Sequence, residues 1–290
     1  MARRRVKVGL SLGGGGVRGL AHIGVIKTLE KDFPIDMISG TSMGALVGAN
    51  YALTRDIYAL EKTLLEIANR KEIREIEKLI NSGSPQEEKK IILQSLVSFV
   101  KNMYLYNLRA IKRWVFSGRE IFWIFDALGL NVDFSQLQIP FTCTAVDLRN
   151  GEEVILSKGN LKDAVLASVS LPGVFPPVKM DDKMLVDGGI VCSVPVDAVR
   201  GMGADLVVAV FVEAQIGYSK PLGSGLDIMF QADAIRAFKL SELKAKSADF
   251  IIYPDVGRMS WAEFSRAQEC IRAGEKAAQK AKPKLEILLK

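Results

Sequence analysis

The sequence is poor in the side chains that bind metals or form disulfides. Its 290 residues include three cysteines and a single histidine. Cys143, Cys192 and Cys270 are widely spaced and form no Cys-x-x-Cys pair, which argues against a zinc site and against a disulfide framework. Isolated cysteines of this kind are typical of a reducing cytosol, where they pack as small hydrophobic residues. We therefore expect no metal site.

Long apolar runs are missing as well. The run from Val6 to Leu12 is interrupted by Lys7 and stops at glycines, so it is too short and too broken for a signal peptide. No other stretch supplies the roughly 20 uncharged apolar residues of a membrane-spanning helix. The sequence therefore predicts a cytoplasmic protein.

Composition and length are those of a folded protein. Hydrophobic residues make up 49% of the chain and charged residues 25%, which excludes a disordered or collagen-like chain. A chain of 290 residues can bury a large core, and we expect a single α/β domain over 1–290.

The chain is basic, with a formal charge of +6 and a pI near 9.1. The excess comes partly from Arg3 to Arg5 and from lysines near the C-terminus. Basic ends can meet an anionic membrane or a nucleic acid, and they can equally be solvated surface. Because no nucleic-acid module accompanies the charge, we expect no nucleic-acid partner.

The order of elements near the start predicts the fold class. Val6 to Leu12 is predicted as a strand, Gly19 to Lys31 as a helix and Ile35 to Ser39 as a second strand. This β-loop-α-β order is the unit of a parallel sheet covered by helices. We therefore expect a three-layer α/β/α fold with a mostly parallel central sheet. Later strands are predicted at Phe141 to Val146, Glu153 to Leu156, Asp205 to Val212 and Phe250 to Tyr253.

Residues 57–128 differ from the rest because they have helical periodicity and no convincing strand. We interpret them as a helical insertion between the helix predicted to begin near Met43 and the later strands. Within 99–125, aromatic residues alternate with lysine and arginine. Such a segment can lie at a lipid interface or form a lid over an acyl site, which would give peripheral membrane contact. In the alternative, the aromatic side chains belong to the core and the basic ones to the wet face.

A Gly-x-Ser-x-Gly pentapeptide directly follows the second predicted strand. It places Ser42 between Gly40 and Gly44 at a strand-to-helix junction. A serine at the tip of a sharp turn needs neighbours without a Cβ, so that strand and helix can approach each other. The following helix would also direct its N-terminal dipole at a developing oxyanion. Ser42 is therefore a candidate nucleophile.

A glycine-rich loop, Gly13 to Gly19, lies between the first strand and the first helix. It can be a dinucleotide-binding loop, with Asp36 as the ribose-binding acid. Alternatively, its N–H groups form an oxyanion hole for an ester attacked by Ser42. Asp36 lies near the start of the second strand, whereas the serine turn follows the end of that strand. The loops after adjacent parallel strands open on one edge of the sheet, so the glycine loop and Ser42 can meet there. This placement favours the oxyanion hole. Arg18 would steady the loop, bind an anionic headgroup or form a structural ion pair.

The general base is not evident from the usual pattern. Hydrolases with this pentapeptide place their histidine after the serine, whereas the only histidine here, His22, precedes it. We expect His22 to pack or to satisfy a backbone group. Asp187, at the end of the short predicted strand Met184 to Val186, is followed by Gly188 and Gly189. It can accept the proton of Ser42, or it can simply begin a turn.

Four motifs together resemble the patatin-like phospholipases, particularly their compact bacterial members. They are Gly-Gly-Gly-Val-Arg-Gly at 14–19, Gly-Thr-Ser-Met-Gly at 40–44, the Ser-Leu-Pro-Gly-Val-Phe-Pro-Pro segment at 170–177 and Asp-Gly-Gly at 187–189. They occur in the family's order and cover most of the chain. One departure is that Cys192-Ser193 stands where the family commonly has an asparagine before Val-Pro or Leu-Pro.

The resemblance implies a serine acylhydrolase of the phospholipase A, lysophospholipase or esterase type that needs no cofactor. Ser42 would be the nucleophile and Asp187 the base of a Ser-Asp dyad. Gly14, Gly15 and Gly16 would donate to the oxyanion, and the substrate would be a phospholipid or another acyl-ester lipid. The motif residues Arg18, Gly19, Gly40, Gly44, Gly188 and Gly189 would support this site. The alternative is a protein without hydrolytic activity that binds a nucleotide or an anionic lipid through the glycine loop.

Overall fold

A central β-sheet organises the fold of this chain. The computed structural model describes residues 4–81, 119–214 and 225–289. Within these ranges the sheet has eight strands. In chain order they are β1 (Val8–Leu12), β2 (Met37–Thr41), β3 (Phe141–Asp147), β4 (Glu153–Leu156), β5 (Val178–Met180), β6 (Lys183–Asp187), β7 (Leu206–Val210) and β8 (Phe250–Ile252).

Helices connect most of these strands. In the described ranges they are α1 (Ala21–Leu29), α2 (Met43–Thr54), α3 (Ile57–Asn69), α4 (Lys71–Asn81), α5 (Arg119–Ala127), α6 (Leu161–Val169), α7 (Val196–Gly201), α8 (Gly225–Ala245) and α9 (Ala267–Leu288). The first predicted helix begins later than expected, because Gly16–Leu20 forms a 3-10 turn before α1.

The middle of the sheet is parallel. β1 lies between β2 and β7, β3 lies beside β2 and β8 lies beside β7, and each of these pairs is parallel. Three strands break the pattern, since β4 and β6 pair with β3 and β5 pairs with β6, all antiparallel. The loops after β1 and β2 therefore open on the same edge of the sheet, as the sequence predicts.

Side chains from the sheet pack into helices on both faces, and β7 illustrates this. Leu206, Val208 and Val210 join the larger core cluster, which includes residues of α1, α2 and α9. Val207 and Ala209 join a second cluster with α7 and the end of α8. Alternating side chains of a strand point to opposite faces, so the sheet lies between two helical layers. The expected three-layer α/β/α architecture is confirmed.

The described parts of the predicted insertion 57–128 are helical, namely α3, α4 and α5. In α5, Phe125 is buried, and Trp123 packs against the core with the Arg70 guanidinium 4.3 Å from its ring centroid. These two aromatic residues thus follow the core alternative. Residues 82–118, which carry most of the predicted lid, lie outside the described residues. Lid formation, membrane contact through 99–125 and the basic termini, and a single domain over 1–290 stay predictions.

None of the helices in the described ranges combines the length and apolar character needed to cross a membrane.

Candidate active site

Ser42 occupies a strained turn between β2 and α2. Its φ and ψ are 54° and −121°, a conformation that costs a residue with a Cβ about 1–3 kcal/mol. The flanking glycines are required by close approach. A Cβ on Gly40 would lie 2.4 Å from the carbonyl oxygen of Gly44, and one on Gly44 would lie 2.2 Å from that of Leu12. The pentapeptide therefore forms the sharp strand-to-helix turn that its sequence predicts.

The backbone of Ser42 is fixed on both sides. Its carbonyl accepts hydrogen bonds from the amides of Ala45, at 2.9 Å, and Leu46, at 3.1 Å, in the first turn of α2. Its own N–H donates to the Oγ of Ser168, at 3.0 Å. The half-buried side chain is then the part of Ser42 that remains to be oriented.

Strand β6 brings Asp187 to Ser42. On β3, Cys143 and Thr144 pair with both β2 and β4, so β2 and β4 lie on opposite sides. Ala145 and Val146 pair with β4 and β6, so β6 shares the side of β2. Thr144 pairs with Thr41, the last residue of β2, and the next residue, Ala145, pairs with Asp187.

Because β6 runs antiparallel to β3, its C-terminal end meets that of β2. Ser42 and Asp187 are therefore neighbours, and the Ser42 hydroxyl lies close enough to favour the ionised form of the Asp187 carboxyl. A Cβ on Gly188 would lie 2.6 Å from the hydroxyl oxygen of Thr144, so a glycine is needed where the chain leaves β6 and crosses β3.

Burial adjusts the acidity of Asp187. The residue is 4% exposed, and the loss of water raises the pKa of its carboxyl from 3.8 to about 6, although hydrogen bonds from the Ser42 hydroxyl and the Gly189 amide oppose the rise. The Gly189 N–H lies 2.8 Å from Oδ1. A carboxylate with this pKa is ionised at neutral pH and is a stronger base than an exposed aspartate.

The glycine loop lies against Ser42, and here one expectation needs correction. A Cβ on Gly14 would be 3.4 Å from the Cβ of Ser42, but the Gly14 N–H already donates to the carbonyl of Ser193, at 2.9 Å. Gly14 is therefore not a free oxyanion donor. Within the part of the chain that the structure describes, the N–H groups of Gly15 and Gly16 have no acceptor. The candidate oxyanion hole narrows to these two amides.

Two further motif residues hold this loop. The Nε of Arg18 donates to the Gly15 carbonyl, at 3.0 Å, which corresponds to the loop-steadying role among the three considered. Gly19 allows the loop to approach α2, since a Cβ there would lie 2.6 Å from that of Met43. Gly16 has a φ of 59°, and a Cβ on it would lie 2.3 Å from the Trp261 carbonyl oxygen.

His22 contacts the main chain of the glycine loop, as expected of a residue that satisfies a backbone group. It is fully buried, its Nε2 lies 2.7 Å from the Gly13 carbonyl oxygen, and burial lowers its pKa to about 4. At neutral pH the imidazole is therefore uncharged. Because Nε2 must carry the proton to donate to a carbonyl, Nδ1 is left as a buried acceptor without a partner among the residues that the structure describes.

The segment that departs from the family pattern also contacts the site. The Ser193 carbonyl holds Gly14, and the Cys192 carbonyl accepts from the Thr41 hydroxyl, at 3.1 Å. These are main-chain acceptors, which any residue supplies. The sequence did not indicate that the Ser168 hydroxyl would accept the Ser42 N–H or that the Ser193 carbonyl would accept the Gly14 N–H. The only available signal for Ser168 was its place just before the Ser-x-Pro-Gly segment.

An apolar cavity of about 130 Å³ lies beside the turn at Ser42. Met43, the residue after Ser42, lines it. The remaining lining residues come from α2 to α5, the turn before α1, the loop after α6 and the segment before α9, and they are Leu20, Leu46, Leu64, Ile67, Ala68, Ile73, Ile121, Ile124, Val174, Phe175, Trp261 and Phe264. A cavity with such a lining suits a hydrocarbon chain.

The position of Asp36 argues against its role as the ribose-binding acid of a dinucleotide site. Asp36 lies before β2, where its carboxylate accepts from the Val8 amide, at 2.8 Å, and from Arg5, at 3.0 Å. It therefore holds the N-terminal end of β1, whereas the glycine loop follows the C-terminal end of that strand. The glycine loop lies instead against the turn that carries Ser42.

Comparison with known proteins agrees with this geometry. Residues 10–200 match the family described as patatin-like phospholipase. The chain therefore belongs to the patatin-like phospholipase family.

Among its relatives, an uncharacterised NTE family protein of Mycobacterium tuberculosis is 34% identical over 206 residues, which cover 70% of this chain and 48% of that protein. Lysophospholipase nte1 of Aspergillus fumigatus is 33% identical over 206 residues, which cover 71% of this chain and 12% of the fungal protein. The match thus spans less than half of each relative's own length. VipD from Legionella pneumophila has a crystal structure that superposes with a TM-score of 0.52 at 14% identity, covering 95% of this chain and 66% of that one. The resemblance to VipD concerns the fold.

Proposed function

We propose that the protein is a serine acylhydrolase that cleaves acyl esters of lipids with Ser42 as nucleophile and Asp187 as base. The observation that carries the proposal is the position of Ser42, held in a strained turn, next to the buried Asp187 carboxylate. A base with a pKa near the working pH and within hydrogen-bond reach of the nucleophile is what nucleophilic catalysis requires.

The first half of the reaction forms an acyl-enzyme. Ser42 Oγ attacks the ester carbonyl carbon while its proton passes to Asp187. The carbonyl π-bond becomes a negatively charged oxygen, which the amides of Gly15 and Gly16 would bind. When the tetrahedral intermediate collapses, the bond to the alcohol oxygen breaks and Asp187 returns the proton to the leaving alcohol.

The second half restores the enzyme. Asp187 removes a proton from water, and the resulting hydroxide attacks the acyl carbon. A second tetrahedral intermediate forms, and its negatively charged oxygen would be bound by the same two amides. Its collapse breaks the bond to Ser42 Oγ, which takes the proton back from Asp187. The products are a free carboxylic acid and the alcohol of the original ester.

The apolar cavity beside Met43 supports an acyl chain as the substrate's recognised part. Transfer of an alkyl chain from water into this cavity is favourable by about 0.8 kcal/mol for each buried methylene. Met43 lines the cavity and directly follows Ser42 in the sequence. An acyl chain bound in the cavity would therefore place its ester carbonyl near Ser42. Because one relative is a fungal lysophospholipase, single-chain phospholipids are the first substrates to try.

Lipid profiling tests this proposal. The purified protein is incubated with lysophospholipids, diacyl phospholipids and short nitrophenyl esters, and the released acids are quantified by mass spectrometry. We expect wild-type protein to release fatty acid from at least one lipid class, and folded Ser42→Ala and Asp187→Asn proteins to release at most about a hundredth as much. Equal release by wild-type and Ser42→Ala proteins would refute the dyad.

The cavity has its own test. Ala68 lines it and is 2% exposed, so Ala68→Leu would fill part of its volume. We expect this variant to hydrolyse octanoyl and longer nitrophenyl esters less well while acetyl ester hydrolysis is retained. If the dependence of the rate on chain length is unchanged, the acyl chain does not bind in this cavity.

A further inference from the structure

The C-terminal end of α6 contacts both residues of the proposed dyad. The hydroxyl oxygen of Ser168 accepts the N–H of Ser42, at 3.0 Å. Two residues later, the carbonyl of Ser170 accepts the N–H of Asp187, at 3.0 Å. One turn of chain therefore fixes the main-chain positions of the nucleophile and of its base, which come from different strands.

The contact to Ser42 is made by a side chain, and it falls where the backbone is least relaxed. The φ of 54° at Ser42 persists only if the surroundings impose it. Its carbonyl is held by α2, so the N–H is the remaining main-chain group. Ser168 is fully buried, with 0% of its surface exposed, and removing its hydroxyl would leave the Ser42 N–H without an acceptor from the protein. The turn could then relax and move Oγ away from Asp187.

The helix α6 is held at both of its ends. The Ser170 hydroxyl donates to the Leu166 carbonyl, at 2.7 Å, and the N-terminal end of α6 is capped by Asn160, whose side chain accepts from the Asp163 amide, at 3.2 Å. The chain then continues into the loop that carries Val174 and Phe175 at the apolar cavity. A rigid helix end of this kind can hold a reacting group in place, and small displacements of such a group reduce the rate strongly.

We propose that Ser168 is a positioning residue, whose hydroxyl holds the Ser42 main chain so that the Ser42 Oγ meets Asp187 and the substrate carbonyl together. This inference rests on the proposed acylhydrolase function. Ser168 does not touch the reacting atoms, and it exchanges no proton in the reaction. Its effect should therefore appear in the rate of the chemical step and not in substrate binding.

The experiment compares Ser168→Ala and Ser168→Thr with a matched control, Ser241→Ala. Ser241 is also buried, at 2% exposure, and its hydroxyl donates to the Ala237 carbonyl, at 2.9 Å, in α8. The second-order rate constant for labelling by a fluorophosphonate is measured per active site, together with kcat and KM for a nitrophenyl ester. Titration of active sites separates a slower enzyme from a smaller folded fraction.

We expect Ser168→Ala to lower both the labelling rate constant and kcat by about 10- to 100-fold with KM changed by less than about twofold. Ser168→Thr, which keeps the acceptor, should restore most of the rate, and Ser241→Ala should match wild type. If Ser168→Ala labels at the wild-type rate per active site, or only yields fewer sites, the positioning role is refuted.

Two other outcomes are distinct from this one. If Ser168→Ala does not fold, Ser168→Cys replaces it, because a thiol is a weak acceptor. A labelling rate at least about tenfold below wild type then supports the proposal, and a wild-type rate overturns it. A wild-type protein that is not labelled, or a Ser42→Ala protein that is labelled equally, refutes the acylhydrolase function itself and with it any role for Ser168.

Discussion

Replacing the Asp187 carboxylate by an amide should stabilise the folded protein at neutral pH. The carboxyl has a folded pKa of about 6, raised by burial from 3.8. A group whose pKa is raised on folding contributes stability that is fully present below its unfolded pKa and is lost as pH rises through its folded pKa. For wild-type protein this loss begins near pH 3.8 and is complete above about pH 6. Asp187→Asn has no proton to lose there.

The size of the effect follows from the two pKa values. At about 1.36 kcal/mol for each pH unit between them, ionisation of Asp187 costs the folded state about 3 kcal/mol at pH 8. At pH 4 the same linkage gives only about 0.6 kcal/mol. The free energy of unfolding of Asp187→Asn relative to wild type should therefore rise by about 2 kcal/mol between pH 4 and pH 8.

Urea unfolding followed by circular dichroism measures this difference. Both proteins are unfolded at half-unit steps between pH 4 and pH 8, and Asp182→Asn serves as the control because the Asp182 side chain is 87% exposed. The shape of the difference matters more than its offset, since an amide also changes the local hydrogen bonds. If the curves of wild type and Asp187→Asn stay parallel across this range, Asp187 is not the buried carboxyl of raised pKa on which the proposed mechanism depends.

Further predictions concern the supports of the site. Gly44→Ala should lower the free energy of unfolding in urea by about 2–3 kcal/mol or more, because its Cβ would meet a carbonyl oxygen at 2.2 Å, whereas Gly201→Ala, with nothing within 4 Å, should change it by less than about 1 kcal/mol; equal effects would contradict the close packing of the turn. Arg18→Ala should lower kcat at least about tenfold without unfolding the protein, because the Gly15 carbonyl loses its donor; an unchanged kcat would remove Arg18 from the support of the oxyanion donors. Diethyl pyrocarbonate should leave esterase activity intact because His22 is buried, and activity lost in step with one modified histidine would contradict a dyad without histidine.

The sharp turn at Ser42 was predictable because its determinants are local. Gly40 and Gly44 are required by contacts within a few residues of Ser42 and with the adjacent strand, and such requirements leave a short pattern in the sequence. The first strand-loop-helix-strand unit was predictable for the same reason, since its apolar periodicity is contained in one stretch of chain.

The meeting of Ser42 with Asp187 depends on a long-range pairing that no local pattern encodes. The sequence indicated a short strand ending before Asp187, but not that β6 pairs antiparallel to β3 on the side of β2. The family resemblance supplied the partnership, and the register explains it. The strand Val178–Met180 was missed, because three residues carry too little periodicity.

Hydrogen-bond partners within the site were also beyond local patterns. Three consecutive glycines appear equivalent as possible oxyanion donors, yet the amide of Gly14 is already used by the Ser193 carbonyl. Likewise, nothing near Ser168 in the sequence indicates that its hydroxyl accepts the N–H of Ser42, 126 residues away along the chain. Both contacts arise only when separate elements pack at the same edge of the sheet.

Covalent labelling with a fluorophosphonate, followed by intact-mass measurement, shows whether Ser42, activated by Asp187, is the nucleophile. We expect a single added phosphonyl group on the wild-type protein, none on folded Ser42→Ala, and labelling slowed at least about a hundredfold on Asp187→Asn. Labelling of Ser42→Ala to the same mass and at the same rate as wild type would contradict this role of Ser42.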